Sequence, residues 1–145
     1  GLNYSDQSGQ VKPVIMGSYG IGPGRVMGTI VERLADEHGL VWPVNIAPFK
    51  VYLARLGNAQ AVTEAADAAY RQLTTTGVGV IYDDRDASAG EMFADADLMG
   101  IPSRVVISEK TVASANVELK LRTSKEPQMV SAQALAETLQ KLLKN

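Results

Sequence analysis

Apolar residues along this chain recur first in short runs and then at helical spacing, and the changes of period divide it into elements. Pro13-Val14-Ile15-Met16 reads as a short buried strand leading into a glycine-rich turn. From about 25 to 37, Val26, Met27, Ile30, Val31 and Leu34 return every three or four positions, which predicts a helix with one apolar face. Gly39 suits the C-terminal cap of that helix. Pro43 and Pro48 then bracket a stretch that cannot continue a helix, and the chain divides there. Beyond the division, residues 49–56 are apolar and β-branched enough for a central strand. Asn58 is the expected N-cap of a helix carrying Val62, Ala65, Ala66, Ala69, Tyr70 and Leu73, which Gly77 ends. Residues 78–82 form the next strand, and a helix over 92–99 is closed by Gly100 and Pro102. Strands follow at 104–107 and 118–122, with a short edge strand at 128–130. Ser131 is the expected cap of a last helix in which Leu135, Leu139 and Leu142 align.

Alternation of this kind predicts an α/β fold, a mostly parallel mixed sheet flanked by helices. Residues 46–145 read as one compact domain, preceded at 1–45 by a strand–loop–helix unit. There is no internal repeat and no low-complexity tract.

Composition narrows the chemistry. The 145 residues are 46% hydrophobic and 21% charged, the make-up of a globular chain. No apolar run approaches the roughly 18–20 residues that cross a bilayer, and the first residues lack the pattern of a secretion signal. With no cysteine, disulfides and thiolate metal sites are excluded, and the expected compartment is the cytoplasm. His38 is the only histidine, so neither a histidine-based metal site nor a serine–histidine hydrolase is expected, and no metal ligands are assigned. The net charge of −2 argues against nonspecific binding to a long polyanion. Charge is uneven, however: Arg104, Lys110, Lys120, Arg122 and Lys125 outnumber Glu109 and Glu118 in one stretch, while 83–97 is acidic. A small, specific RNA site remains compatible with that distribution.

Gly17-Ser18-Tyr19-Gly20-Ile21-Gly22-Pro23-Gly24-Arg25 is the most unusual local sequence. A dinucleotide loop of the form G-x-G-x-x-G fails on spacing, because after Gly20 and Gly22 the third glycine would fall on Arg25. A P-loop fails because no Gly-Lys-Ser/Thr follows. Met16-Gly17-Ser18-Tyr19-Gly20-Ile21-Gly22, followed by Arg25, resembles motif 3 of class II aminoacyl-tRNA synthetases in its prolyl form. The resemblance continues through His38-Gly39-Leu40-Val41-Trp42-Pro43 and Ile46-Ala47-Pro48-Phe49-Lys50-Val51. It extends to Asp83-Asp84-Arg85, Gly90, Met92-Phe93-Ala94-Asp95, Asp97-Leu98 and Gly100-Ile101-Pro102, and Gly1-Leu2-Asn3-Tyr4-Ser5 resembles the strand before motif 3.

What the resemblance implies is a C-terminal piece of a bacterial-type prolyl-tRNA synthetase: the end of the catalytic domain at 1–45 and the anticodon-binding domain at 46–145. The parent would be a proline–tRNA ligase using ATP, with Mg2+ in the full-length enzyme, to join proline to tRNA(Pro), and a homodimer through its catalytic domain. In that family the arginine matching Arg25 lies over the adenine and near the phosphates, with Gly20 and Gly22 letting the backbone approach the nucleotide. Arg25 is therefore the expected catalytic residue, and Gly20, Gly22 and Arg25 the expected ATP-binding set. Motifs 1 and 2 are absent, so the piece alone is expected not to activate proline.

The RNA-reading residues follow from chemistry as well. Proline anticodons share two guanines, whose Watson–Crick edge offers N–H donors and one carbonyl acceptor. A carboxylate accepts from the former, and Lys or Arg donates to the latter. Splayed bases also need an aromatic face. Phe93, Asp97, Arg104 and Lys110 supply this set, with Phe93 and Asp97 four apart on one helix face. The resemblance implies the same four as tRNA anticodon-binding residues and adds Lys125; at Asp97 the family usually carries glutamate. Asp83-Asp84-Arg85 reads as a strand-end turn in which Arg85 pairs locally, and Lys141 and Lys144 on the last helix as solvated charges. The alternative is a stand-alone anticodon-like RNA-binding or regulatory module without catalysis.

Overall fold

Val51, Tyr52, Leu53 and Ala54 are buried in succession, which marks a strand covered on both faces. This strand, β3 (Val51–Leu56), lies inside a five-stranded mixed sheet in the structure, a computed structural model that describes residues 1–143. Elements before it are a hairpin of β1 (Asn3–Ser5) and β2 (Val11–Pro13) and a helix α1 (Pro23–Leu34). After it come α2 (Gln60–Thr75), β4 (Val80–Asp83), α3 (Ala89–Met99), β5 (Ser103–Ser108), α4 (Glu109–Ala113), β6 (Asn116–Leu121), β7 (Gln128–Ser131) and α5 (Leu135–Leu142).

The sheet order is β4-β3-β5-β6-β7. β4 and β5 run parallel to β3, and β6 and β7 add an antiparallel half. From β3 the chain crosses to β4 through α2, then returns over β3 to β5 through α3. Crossovers of one hand taken in opposite directions put the two helices on opposite faces. Two separate cores follow. Val51, Leu53, Val105, Ile107, Val117 and Leu119 pack with α2 and α5 on one face, and Tyr52, Ala54 and Val106 pack with Met92 and Ala96 of α3 on the other. On the α3 side, strand alternation and register set Arg104 beside Lys120, Val106 beside Glu118, and Glu118 beside Met129. α3 packs over the parallel half, which leaves Met129 exposed at the antiparallel end of that face.

Several local expectations are corrected. The buried strand expected at Pro13-Val14-Ile15-Met16 is instead the end of an exposed hairpin: β2 stops at Pro13, and Ile15 is 95% exposed. The hairpin is held by its own turn, where the Asp6 carboxylate accepts from the Ser8 and Gln10 amides and from Lys12. Gly39 does not cap α1, which ends at Leu34 with an extended Ala35. Glycine is needed there because φ is +140° and a Cβ would lie 2.4 Å from Leu98 Cα. Asn58 does not cap α2; Ala59 holds that position, and Asn58 Oδ1 accepts from Arg55 Nη2 at 3.2 Å. Ser131 leads into a single 3-10 turn, Ala132–Ala134, without a side-chain cap bond. The short α4 had no periodic signal, yet Ser108 and Thr111 close a reciprocal capping box at its start.

Candidate nucleic-acid interface

Helix α3 is fixed at both ends by local chemistry. The Ser88 side chain accepts from the Glu91 amide at 3.2 Å, and Gly100 ends the helix in the left-handed region at φ +70°. Met92 and Ala96 face the core, which turns Phe93 and Asp97 toward the neighbouring strand β5. There Arg104 meets both. Its Cζ stands 3.8 Å from the Phe93 ring centroid, a cation–π stack, and its Nη1 lies 3.7 Å from Asp97 Oδ1. The Arg104 side chain is only 10% exposed, and its Nε has no hydrogen-bond partner among the described residues. Burial pushes its pKa down, with the charges of Asp97 and Glu118 opposing the shift. At 3.7 Å the Asp97 contact is an ion pair and not a hydrogen bond. The cluster thus holds a buried donor that the described residues leave unsatisfied.

Arg122, just past β6, braces the same corner. Its amide donates to the Pro102 carbonyl at 2.9 Å, and its guanidinium forks onto Asp36 at 2.8 and 2.5 Å. Its Nε donates to the Asp97 backbone carbonyl at 3.3 Å. The fork holds the Asp36 carboxyl well below the usual carboxylate range and raises the arginine. The strap around Asp36 is also laced to α3 by backbone bonds from Leu40 to the Leu98 carbonyl and from Trp42 to the Gly100 carbonyl.

A second charged cluster sits at the end of β4. Tyr52 donates its hydroxyl to Asp83, and Arg85 reaches both Asp83 oxygens at 2.9 and 2.8 Å and Asp95 at 2.7 Å. The Arg85 guanidinium holds Asp83 at about 2, while burial, and next the Asp83 bond, push Tyr52 up to about 12. Arg85 therefore pairs locally, as the strand-end reading expected.

The remaining expected site residues lie apart. Lys110 is exposed in the first turn of α4, separated from Arg104 by the length of β5, about 13 Å of strand. Lys125 is exposed in the turn after β6, at the Arg104 end of the sheet. Neither makes an ion pair among the described residues. Lys141 pairs with Glu137 at 2.7 Å, and Lys144 lies outside the described residues. Gly20, Gly22 and Arg25 come together around α1, lining one hollow with Ile21, Val26, Thr29 and Ile30.

The sequence pattern of the anticodon binding domain matches residues 44–142. The chain belongs to the anticodon-binding-domain family. Its anticodon-binding domain therefore includes Phe93, Asp97, Arg104, Lys110 and Lys125, together with Arg122, and excludes Arg25 and Asp36. Among similar proteins is the proline–tRNA ligase of Dehalococcoides mccartyi, 43% identical over 138 residues, which are 94% of this chain and 24% of the relative. The proline–tRNA ligase of Moorella thermoacetica is 41% identical over 145 residues, 99% of this chain and 25% of the relative. That of Legionella pneumophila is 44% identical over 128 residues, 87% and 22% respectively. The chain thus spans about a quarter of the length of the curated relatives it matches.

Lys120, Arg122 and Asp36 join the site only in three dimensions; in the sequence the first two are simply part of a basic stretch. A signal existed. Val117, Leu119 and Leu121 alternate with Glu118, Lys120 and Arg122, so the charged set had to share the face opposite the larger core.

Proposed function

We propose that this chain is the anticodon-reading part of a proline–tRNA ligase, an ATP-dependent enzyme that attaches proline to tRNA(Pro). Residues 46–145 bind the anticodon loop, and 1–45 belong to the catalytic domain of the longer protein. The observation that carries the reading is the Phe93–Asp97–Arg104 cluster. No hydrogen bond ends on either Asp97 carboxylate oxygen among the described residues, so both can accept from guanine N–H groups. The terminal nitrogens of Arg104 make no hydrogen bond among the described residues, their close partner being Asp97 at 3.7 Å, and they donate to the guanine carbonyl. Phe93 and the guanidinium stacked on it form one flat unit against which a base can stack. Lys110 and Lys125, toward the two ends of β5, neutralise the backbone on either side.

Arg25, with Gly20 and Gly22, contacts ATP in the longer protein. The residues fit a purine: one planar guanidinium, bare glycine backbone, and the apolar flanks Ile21, Val26 and Ile30. Bound ATP would supply the adenylyl group that activates the amino acid, with pyrophosphate as the leaving group; Arg25 would stack on the base and offset negative charge on the phosphates. Among the described residues no group of three or more His, Asp or Glu could hold a metal ion. The Mg2+ that accompanies the nucleotide would find its ligands in the rest of the longer protein. Dimerisation through the catalytic domain and a cytoplasmic location belong to the same reading. Exposed Ile15, Met16, Ile21, Val26 and Met27 support attachment of 1–45 to a larger body, and favour this reading over a stand-alone module.

The test is the affinity of the chain for anticodon stem-loop RNAs that keep or replace the two guanines. Guanine-bearing RNA should bind more tightly, and Arg104→Ala should remove roughly 1–3 kcal/mol of that binding. Equal binding of all the RNAs, or loss of binding on replacing Lys141 as severe as on replacing Arg104, would sink the assignment. Proline-dependent pyrophosphate exchange is expected only from the longer protein.

A further inference from the structure

Asp97 is flanked by two guanidinium groups, and only Arg104 faces the interface proposed above. Arg122 Nε approaches the same oxygen, Oδ1, at 3.8 Å, too far for a hydrogen bond. Arg122 is closed to a ligand. Its side chain is 6% exposed, both terminal nitrogens are committed to Asp36, and Nε donates to the Asp97 carbonyl. That carbonyl belongs to the last turn of α3 and also accepts from the Gly100 amide at 3.1 Å; the helix dipole there favours a cation.

We propose that Arg122 is a positioning residue for base selectivity: it fixes the last turn of α3, and so sets where the Asp97 carboxylate stands, without touching RNA. The reasoning rests on the anticodon reading of Asp97. A carboxylate that selects guanine by accepting N–H bonds must be held within a fraction of an ångström, because hydrogen bonds weaken steeply with distance and angle. The Asp97 carboxylate accepts no hydrogen bond among the described residues; only the backbone carbonyl of Asp97 is held. Its placement therefore falls to the backbone of its turn and to the two charges beside it. Asp36 completes the arrangement by anchoring the far end of Arg122, from a strap that is itself bonded to α3 at Leu98 and Gly100. Aspartate is short, so a small shift of the turn cannot be absorbed by the side chain.

The experiment compares the affinity of the chain for two anticodon stem-loop RNAs, one carrying the guanines and one with adenine in place of the guanine that Asp97 meets. Arg122→Gln should cut the guanine-to-adenine ratio by about three- to tenfold, the loss falling on the guanine RNA. Asp36→Asn, which frees one end of Arg122 and leaves α3 intact, should move the ratio the same way by less. A lower melting temperature with an unchanged ratio would reduce Arg122 to a structural clamp and overturn the proposal. If Arg122→Gln does not fold, Asp36→Asn decides, and an unchanged ratio there is equally fatal. Arg104→Ala separates the two levels: if it too leaves guanine binding intact, the anticodon reading itself fails. If it weakens guanine binding while Arg122→Gln does not shift the ratio, only the positioning role is lost.

Discussion

Arg104 carries a full charge into a place where the protein compensates it poorly. Phe93 covers one side, Asp97 stands beyond hydrogen-bonding distance, and Nε has no partner among the described residues. Such an arrangement costs folding free energy, and a well-packed apolar side chain of similar length often removes that cost. Arg104→Met should therefore leave the urea midpoint unchanged or raise it, while weakening binding of guanine-bearing RNA by roughly 1–3 kcal/mol. A variant destabilised by several kcal/mol would mean that the charge serves the fold and not a ligand. Asp83 presents the opposite case, a buried carboxylate fully engaged by Arg85 and Tyr52. Its pKa falls from 3.8 to about 2, so the folded state binds fewer protons than the unfolded state between those values. The stabilisation is present above about pH 4 and is lost as pH falls toward 2. Stability measured at pH 6 and pH 3 should accordingly differ less in Asp83→Asn than in the parent chain.

At the scale of elements, the strap and α3 come together backbone to backbone at Gly39 and Gly100. A Cβ on Gly100 would lie 2.4 Å from the Leu40 carbonyl oxygen, so no side chain fits there even if the backbone could bear it. Gly77 ends α2 with a similar φ of +77° but opens into empty space. Gly77→Ala should cost about 1 kcal/mol, the usual left-handed penalty. Gly100→Ala should cost clearly more and should strip hydrogen-exchange protection from the Leu40 and Trp42 amides; equal costs would mean that the strap is not held there. Elements whose signal is their own were legible in the sequence. The apolar run of β3, the spacing of α2 and the Gly100–Pro102 stop of α3 each reflect local physics. The misses share a cause. Gly39 looks like a helix cap because left-handed glycine usually is one, but its freedom is spent on contact with Leu98, which no local pattern announces. Ile15 and Met16 look buried because they are apolar, and burial needs a partner surface that residues 1–143 do not supply. The Phe93–Asp97 pairing came from helical spacing, whereas the brace from Arg122 to Asp36 joins residues far apart in the chain and could be seen only in three dimensions.

Seen whole, the molecule has a sheet whose two halves are wired differently. Strands β5, β6 and β7 follow one another with short connections, so that Val106 pairs with Glu118 and Leu119 with Gln128. The parallel half closes only across both crossovers, where Val51 must find Ser103. Closing long loops is what slows folding, so the meander can form while the parallel half is still searching. Arg104 sits on the seam: its strand belongs to the meander, but Phe93 and Asp97 arrive on α3, inside the slow crossover. Because only seven and eleven residues separate Arg104 from Asp97 and Phe93, that corner can close locally, while the sheet behind it is completed last, when Val51 finds Ser103.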